Sequence, residues 1–459
     1  MVIALAPPPK PPPPPSPGRH AQTFVLALAA IILVGTSLLA SPWTTESGTA
    51  TPPVDALFTA VSAVAVTGLV TVDTATHWNR LGEAVILVLI QIGGLGFMVG
   101  ASLVLQALRR GSTRLSDVLL IREGGPTLSL REAAVLSRRI VLFTLAVEAV
   151  GAIVLTLRFW QELPLPEALW FGVFHAVSTF CNAGFDLQGE FVSLIPYQDS
   201  LVINGAVILL IQLGALSYLV LADAATCRRW ARLAVDSKLV LLANAILLLV
   251  GMGAFLIIEW NGVLGQTSEG IRPVAALFQS VTARSGGLTT VNFGEVQAVT
   301  LFFWMALMFI GGASGSVAGG VRLATVGVVA AALVSTMRGD EETQVFNRRV
   351  PTALIFRAMT VMAIMLTVHF AATALLVATQ HRAGREELSF VALMFEAMSA
   401  LATVGLSTGI TPSLTDVGKL ILCVIMFFGR LGPLTAVYAL QRHQRPTHLR
   451  FPAVAVRIG

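Results

Sequence analysis

One pattern occurs four times in this chain and constrains its fold more than any other feature of the sequence. Each copy begins with Phe, continues as a short apolar helical pattern containing Ser or Thr, and ends in Gly followed by Leu or Phe. The four glycines are Gly68, Gly184, Gly287 and Gly405, separated by 116, 103 and 118 residues. A recurring period indicates structurally equivalent units, so we predict four repeats in one chain.

The segments around these copies are apolar enough to cross a membrane. Only 12% of the 459 residues are charged, whereas soluble domains have about 25%. Because about 20 apolar residues span the hydrocarbon core, the sequence predicts eight spans in four pairs. They lie near 22–40, 81–106, 140–159, 200–222, 239–258, 297–336 (interrupted), 352–379 and 416–441. One copy of the pattern, too short to cross, lies within each pair and predicts a re-entrant pore loop.

The predicted fold is an all-α polytopic membrane protein. Four tandem repeats, each a span, a pore helix and a second span, form a pseudo-four-fold ring around a central pore. Two spans per repeat orient all repeats alike, which argues against an inverted-repeat transporter. The predicted boundaries are a proline-rich tail (1–20), repeat 1 (21–110), repeat 2 (139–223), repeat 3 (238–337), repeat 4 (351–442) and a C-terminal tail (443–459).

Charge placement predicts the orientation of the chain. The tails, the links between repeats and the adjoining ends of the repeats hold 20 of the 30 Lys and Arg residues, so the positive-inside rule places both termini in the cytoplasm. The net charge of +5 then reflects orientation, and we expect no nucleic-acid partner. Most acidic residues flank the four re-entrant stretches, which predicts a negative outer face that concentrates cations.

The glycines predict a cation filter. Non-helical backbone at membrane depth persists only where it lines an aqueous cavity or is buried in protein. Four such segments on one axis would supply carbonyl rings that replace the hydration shell of a monovalent cation, and glycine readily adopts the positive φ required. The predicted filter residues are Val66, Thr67, Gly68, Asn182, Ala183, Gly184, Ser285, Gly286, Gly287, Thr403, Val404 and Gly405.

A glycine-rich break in the second span of repeat 3 predicts a gate. Five glycines among residues 311–320 make a helix unfavourable there, so we expect an irregular loop across the cavity below the filter. The predicted gating residues of this loop are Gly311, Gly312, Gly315, Ser316, Gly319 and Gly320.

Arg430 is the other predicted gating residue. It occupies a position where the other repeats carry Gly94, Ala215 and Gly312. A charge inside an apolar span usually faces the bundle interior or an aqueous path, so Arg430 is predicted to form a barrier to the passing cation. The alternative is an arginine that snorkels to the interface or pairs with an acid. Arg284, just before the third glycine, is a candidate brace behind the filter.

The sequence carries no sign of catalysis. Its three cysteines are far apart, which suits neither a disulfide framework nor a metal site. There is no zinc-protease motif, nucleophile triad or paired-carboxylate pattern. We therefore expect no enzyme. A secondary transporter coupled to sodium or protons remains the main alternative to a channel, and a polytopic membrane enzyme or scaffold is a third.

The repeated motifs resemble those of the Trk/Ktr/HKT superfamily of potassium transporters, and most of all the membrane subunit of the Ktr system. The resemblance covers nearly the whole chain after the proline tail and rests on Thr67-Gly68-Leu69, Asn182-Ala183-Gly184-Phe185, Thr282-Ala283-Arg284, Thr403-Val404-Gly405-Leu406-Ser407-Thr408-Gly409, Gln91-Ile92-Gly93-Gly94-Leu95-Gly96 and Gly429-Arg430-Leu431-Gly432-Pro433. The chain departs from the usual family pattern at Ser285-Gly286-Gly287-Leu288, Ala313-Ser314, Val317 and Arg322.

The resemblance implies more than the residues alone. It implies potassium selectivity at the filter carbonyls, a homodimer with one pore per subunit, and a separate cytosolic nucleotide-binding ring of the RCK type. The expected location is the bacterial inner membrane. We expect no covalently bound cofactor, with K⁺ as the transported ion and Na⁺ as a candidate modulator.

Overall fold

The computed structural model describes residues 17–110, 130–227, 229–385 and 387–432. Most of the predicted proline-rich tail, the end of repeat 4 after residue 432 and the predicted C-terminal tail lie outside these residues. The helices are α1 (Pro17–Leu39), α2 (Pro53–Ala65), α3 (Thr74–His77), α4 (Arg80–Arg110), α5 (Leu130–Phe159), α6 (Leu165–Phe180), α7 (Leu201–Ala215), α8 (Tyr218–Thr226), α9 (Val235–Glu259), α10 (Arg272–Thr282), α11 (Ala298–Phe309), α12 (Leu323–Arg338), α13 (Thr352–Arg382), α14 (Phe390–Leu401) and α15 (Asp416–Leu431).

The described residues contain little else that is regular. Short 3₁₀ turns occupy Pro42–Thr44, Ile195–Tyr197, Trp230–Arg232, Val263–Gln266 and Thr411–Ser413. Strands β1 (Gln344–Val345) and β2 (Arg348–Arg349) form a small antiparallel hairpin between α12 and α13. The fold is therefore helical.

Helix length and apolarity identify a multi-pass membrane protein. Four described helical segments are long and apolar enough to cross a membrane: Arg80–Val99, Ala134–Phe159, Val235–Glu259 and Thr352–Arg382. The bent pair of α7 and α8 makes a fifth. Within the described residues none of the other predicted spans meets this criterion, so the count of eight stays a prediction.

The four short helices form the centre of the molecule. They are α2, α6, α10 and α14, and most of their residues are buried. Pro53, Pro166 and Pro273 lie in the first turns of three of them, where the missing proline N–H leaves no helical hydrogen bond unmade. By contrast, the long helices α5, α9 and α13 expose many large apolar side chains, as lipid-facing helices do.

The packing between repeats is cyclic. The second long helix of each repeat contacts the short helix of the next one: α4 packs on α6, α7 on α10 and α11 on α14. α15 then packs on α2, so the last repeat returns to the first. The short helices are thereby held in a closed ring in chain order.

The bend between α7 and α8 was not predicted from the sequence, which indicated one continuous span at 200–222. The two helices meet at 98°. Leu216 is extended, and the Ser217 hydroxyl accepts a hydrogen bond from the N–H of Leu219 at the start of α8. The carbonyls of Gly214 and Ala215, at the end of α7, accept hydrogen bonds from Val317 and Ala313. The helix ends here because another repeat supplies the partners for its last carbonyls.

Candidate ion pathway

The four predicted filter segments, residues 66–68, 182–184, 285–287 and 403–405, share one unusual backbone conformation. In each segment the first residue and the glycine two positions later both have positive φ. The first residues are Val66 (55°), Asn182 (57°), Ser285 (83°) and Thr403 (48°), and the glycines are Gly68 (92°), Gly184 (72°), Gly287 (74°) and Gly405 (94°). Positive φ is uncommon outside glycine, so four non-glycine examples in equivalent places indicate a constrained, repeated structure.

The four segments converge at their glycines. A Cβ added to Gly287 would lie 2.8 Å from the Val404 carbonyl oxygen, and one added to Gly184 would lie 2.8 Å from the Gly287 Cα. Likewise, a Cβ on Gly68 would overlap the Ala183 carbonyl oxygen, and one on Gly405 would overlap that of Thr67. Each glycine thus abuts the next segment, and the fourth abuts the first. Carbonyl oxygens of the residues preceding the glycines face this ring.

A hydroxyl braces each filter segment from the preceding short helix. The hydroxyls of Ser62 and Ser399 accept hydrogen bonds from the N–H groups of Gly68 and Gly405, at 3.0 and 3.1 Å. Those of Ser178 and Thr282 donate to the carbonyls just after the other two glycines, Phe185 and Leu288, both at 2.6 Å. Sequence reasoning did not assign this role. The available signal was a Ser or Thr six residues before each glycine, or five in the shorter third copy.

Several polar atoms of the segments have no partner. The Asn182 amide and the hydroxyls of Thr67 and Thr403 are buried and make no hydrogen bond within the described residues. Buried polar groups are nearly always paired with protein, water or an ion. These atoms therefore suit a pathway that carries hydrated or partly hydrated cations.

A non-helical loop separates α11 from α12, and residues 310–322 are called the crossing loop here. Gly311 donates to the Val321 carbonyl at 2.9 Å, which joins the two ends of the loop. Ala313 and Val317 donate to carbonyls of α7. Gly319 approaches the fourth filter segment so closely that an added Cβ would overlap the Thr403 hydroxyl. The predicted gating residues 311–320 all belong to this loop.

Arg430 holds the crossing loop from repeat 4. Its guanidinium donates to the Val317 carbonyl of the loop at 2.5 Å and to the Gly93 carbonyl of α4 at 2.7 Å. The side chain is buried, so it does not snorkel to an interface. Its partners are backbone carbonyls, and within the described residues it forms no salt bridge.

Phe97 was missed by the sequence reasoning. Its ring lies 4.6 Å from the Arg430 guanidinium carbon and 5.0 Å from that of Arg322, within the range of a cation–π contact. Arg322 also donates to the carbonyls of Ala318 and Ala313 within the crossing loop. One aromatic ring therefore lies beside both arginines that hold the loop.

Glu396 and Arg284 are two further buried polar residues near the filter. Glu396 lies within α14. Its carboxylate accepts hydrogen bonds from Ser407 and Thr411, in the chain after the fourth filter segment. Arg284 is buried, with Nε and one terminal nitrogen unpartnered in the described part of the chain. Its predicted bracing role has no hydrogen bond to support it.

Glu148 lies behind the second filter segment. Its carboxyl accepts from the Gln91 amide at 3.0 Å, and the Cys181 thiol lies 3.7 Å from it. Cys181 directly precedes Asn182 of the filter. A buried carboxyl thus lies next to the filter without contributing to the ring.

Comparison with known proteins assigns the chain to a family. A family model described as TrkH, cation transport protein, matches residues 16–445. The chain is 35% identical to the potassium/sodium uptake protein NtpJ of Enterococcus hirae, over 95% of this chain and 97% of that protein. It is 34% identical to the Ktr system potassium uptake protein B of Bacillus subtilis, over 95% and 96% of the two chains.

A solved structure shares the fold. The crystal structure of the potassium transporter TrkH from Vibrio parahaemolyticus matches with a TM-score of 0.71 at 19% identity, covering 93% of this chain and 86% of that one. The resemblance noted from the sequence motifs is therefore confirmed at the level of both family and fold.

Proposed function

The chain belongs to the TrkH family of cation transport proteins, a family of transporters and not of enzymes, and we propose that it is the potassium-translocating membrane subunit of a Ktr-type uptake system. The observation that carries this proposal is the closed ring of four filter segments with paired positive φ angles. Carbonyl oxygens arranged around one axis can replace the hydration shell of a monovalent cation.

In this proposal the chain has eight spans and four re-entrant pore loops. The filter comprises residues 66–68, 182–184, 285–287 and 403–405, and K⁺ binds their backbone carbonyls as cargo. The short helices direct the negative ends of their dipoles toward the ring, which favours a cation there. We also propose that the chain lies in a bacterial inner membrane with both termini on the cytoplasmic side, as the distribution of Lys and Arg favours.

The crossing loop is the proposed gate. It packs against the filter ring, and Arg430 and Arg322 hold it through backbone carbonyls. These contacts join repeats 1, 3 and 4, so a change in any of them could release the loop. A segment with five glycines can move at small conformational cost.

A regulatory partner follows from the names of relatives. Three similar proteins are called Ktr system potassium uptake proteins, which implies a system with further components. We propose that a cytosolic nucleotide-binding ring controls this chain, and that the chain itself forms a homodimer with one pore in each subunit.

A coupled transporter is the second candidate, and Glu148 favours it. A carboxyl buried beside the filter could exchange a proton or bind a sodium ion during transport. The name of the Enterococcus relative includes sodium. A coupled mechanism would make potassium flux depend on a second ion gradient.

Flux measurements distinguish the two candidates. The purified chain in proteoliposomes should take up ⁸⁶Rb⁺ passively down a potassium gradient, with the same rate in sodium-free buffer and after collapse of the proton gradient. Flux that stops under either condition would favour coupling. In parallel, expression should restore growth of an uptake-deficient bacterium on low potassium, and no rescue together with no flux would contradict potassium transport.

A further inference from the structure

Ser285 connects the crossing loop to the filter. Its hydroxyl accepts a hydrogen bond from the Gly319 N–H of the loop at 2.9 Å. The same hydroxyl donates to the Thr403 carbonyl oxygen of the fourth filter segment at 2.8 Å. All three residues are buried. One side chain therefore bridges three parts of the pathway: the third filter segment, the fourth filter segment and the loop.

The other three segments have no equivalent of this bridge. The residues in the same position are Val66, Asn182 and Thr403. Valine has no hydroxyl, and the polar side-chain atoms of the other two have no hydrogen-bond partner within the described residues. This bridge from Gly319 through the Ser285 hydroxyl to the Thr403 carbonyl is called the relay here. It belongs to repeat 3, which also carries the crossing loop.

We infer that Ser285 is a positioning residue that couples the state of the crossing loop to cation binding at the Thr403 carbonyl. The inference rests on the proposed function of the ring as a cation filter. When the loop is in place, the Thr403 carbonyl shares its lone pairs with the Ser285 hydroxyl. When the loop leaves, that hydroxyl loses its donor from Gly319 and can reorient.

The coupling must act in both directions. A hydroxyl that donates a hydrogen bond becomes a better acceptor, because bonds in a chain polarise one another. A cation at the Thr403 carbonyl competes with the Ser285 O–H for that oxygen and so weakens the Gly319 contact. By thermodynamic reciprocity, a cation in the filter favours release of the loop, and release of the loop changes affinity for the cation.

The backbone of Ser285 determines which variants are informative. Its φ of 83° is one that glycine adopts at little cost. Ser285→Gly removes the hydroxyl and is compatible with the backbone, whereas Ser285→Ala removes the hydroxyl and keeps a Cβ in a strained conformation. Agreement between the two variants therefore assigns an effect to the hydroxyl.

Ser280, on the short helix α10 that leads into the third filter segment, offers a matched control. Its hydroxyl is also buried and donates to a backbone carbonyl, that of Leu248, at 2.9 Å. That carbonyl belongs to α9 and not to the filter or the loop. Ser280→Ala therefore deletes one buried hydroxyl and one hydrogen bond without touching the relay.

The test measures loop accessibility in the full chain. Ser314→Cys in a Cys227→Ser background places a thiol on the loop, since Cys181 and Cys423 are buried. We expect a methanethiosulfonate reagent to label it about threefold faster in Rb⁺ than in Na⁺, which is below the roughly fivefold effect of a whole hydrogen bond. Ser285→Gly should make the rates in the two ions equal, and Ser280→Ala should leave the ratio unchanged.

The outcomes separate this inference from the function on which it rests. A Rb⁺ to Na⁺ labelling ratio that persists in both Ser285→Gly and Ser285→Ala would overturn the relay. The relay would also be overturned if the protein with Ser285 intact showed passive ⁸⁶Rb⁺ flux but equal labelling rates in Rb⁺ and Na⁺. Absence of that flux in the unmodified chain would overturn the proposed function itself, and the relay with it.

Discussion

The Lys419 ammonium lies 2.7 Å from the Asp55 carboxylate, although 364 residues separate the two in sequence. Asp55 is in the first turn of α2 and Lys419 is in α15. Their side chains are only 13% and 10% exposed. This ion pair joins the last repeat to the first short helix, at the one junction of the ring that chain connectivity does not hold.

We expect the ring to depend on this pair. Lys419→Met leaves the partly buried Asp55 carboxylate without its partner, so we expect a loss of stability smaller than the roughly 3–5 kcal/mol that breaking a fully buried pair costs. The double variant Lys419→Met with Asp55→Asn should regain most of the loss. Thermal unfolding in detergent measures the stability of the single and the double variant.

Arg349→Met is the control. It breaks an exposed pair with Glu342 and should change stability little. A double variant as unstable as Lys419→Met alone would argue against the pair.

Arg430→Gln should increase passive flux. The guanidinium donates to one carbonyl of the crossing loop and one of α4, and a hydrogen bond from a charged group contributes about 1.5–3 kcal/mol. Loss of even part of this stabilisation would raise the population of released loop about tenfold. We expect faster ⁸⁶Rb⁺ uptake in proteoliposomes. Arg357→Gln, an exposed arginine on α13, is the control.

A folded Arg430→Gln protein with unchanged flux would limit Arg430 to a structural role. Reduced flux would instead indicate that the arginine supports conduction. Size-exclusion chromatography distinguishes either result from misfolding.

Cation uptake should decrease at acid pH because Asp186 becomes protonated. This residue follows the second filter segment, in the loop between α6 and α7. Burial raises the pKa of its carboxyl to about 6; the hydrogen bond from the Gln188 N–H partly offsets this increase, and the charge of Asp73 adds to it. The carboxylate is charged above this pH and neutral below it. Because negative charge at a pore mouth concentrates cations, external pH 5 should lower ⁸⁶Rb⁺ uptake by cells about twofold relative to pH 7.5.

Asp186→Asn should show low uptake at both pH values and lack this dependence. Glu190→Gln, an exposed acid on the same loop, should retain it. An acid-induced decrease that survives Asp186→Asn would assign the titration to another group.

The sequence predicted those parts of the structure that repeat. Four copies of a Ser/Thr and glycine pattern located the short helices, and the glycines that end them do lie together. The sequence indicated that the four copies are equivalent because each copy needs the same backbone turn and the same small residue. The fold family was accessible for the same reason.

The parts that escaped prediction depend on single contacts between distant segments. Leu216 and Ser217 look like ordinary span residues. The last carbonyls of α7 accept hydrogen bonds from N–H groups of the crossing loop, about a hundred residues later, and this contact ends the helix there. Phe97 gives no signal of its place beside two arginines. Glu396 gives no signal of its hydrogen-bond partners, which lie in the chain after the fourth filter segment.

The central claim is that the four glycine segments form a cation filter, and substitution at Gly405 tests it most directly. A Cβ there would overlap the Thr67 carbonyl oxygen, and the φ of 94° disfavours any side chain. Gly253→Ser, on α9, has open space around its Cβ and is the matched control. We predict that Gly405→Ser lowers the Rb⁺ over Na⁺ preference in competitive uptake about tenfold or more, while Gly253→Ser retains it. A folded Gly405→Ser protein with the unmodified preference would contradict the filter.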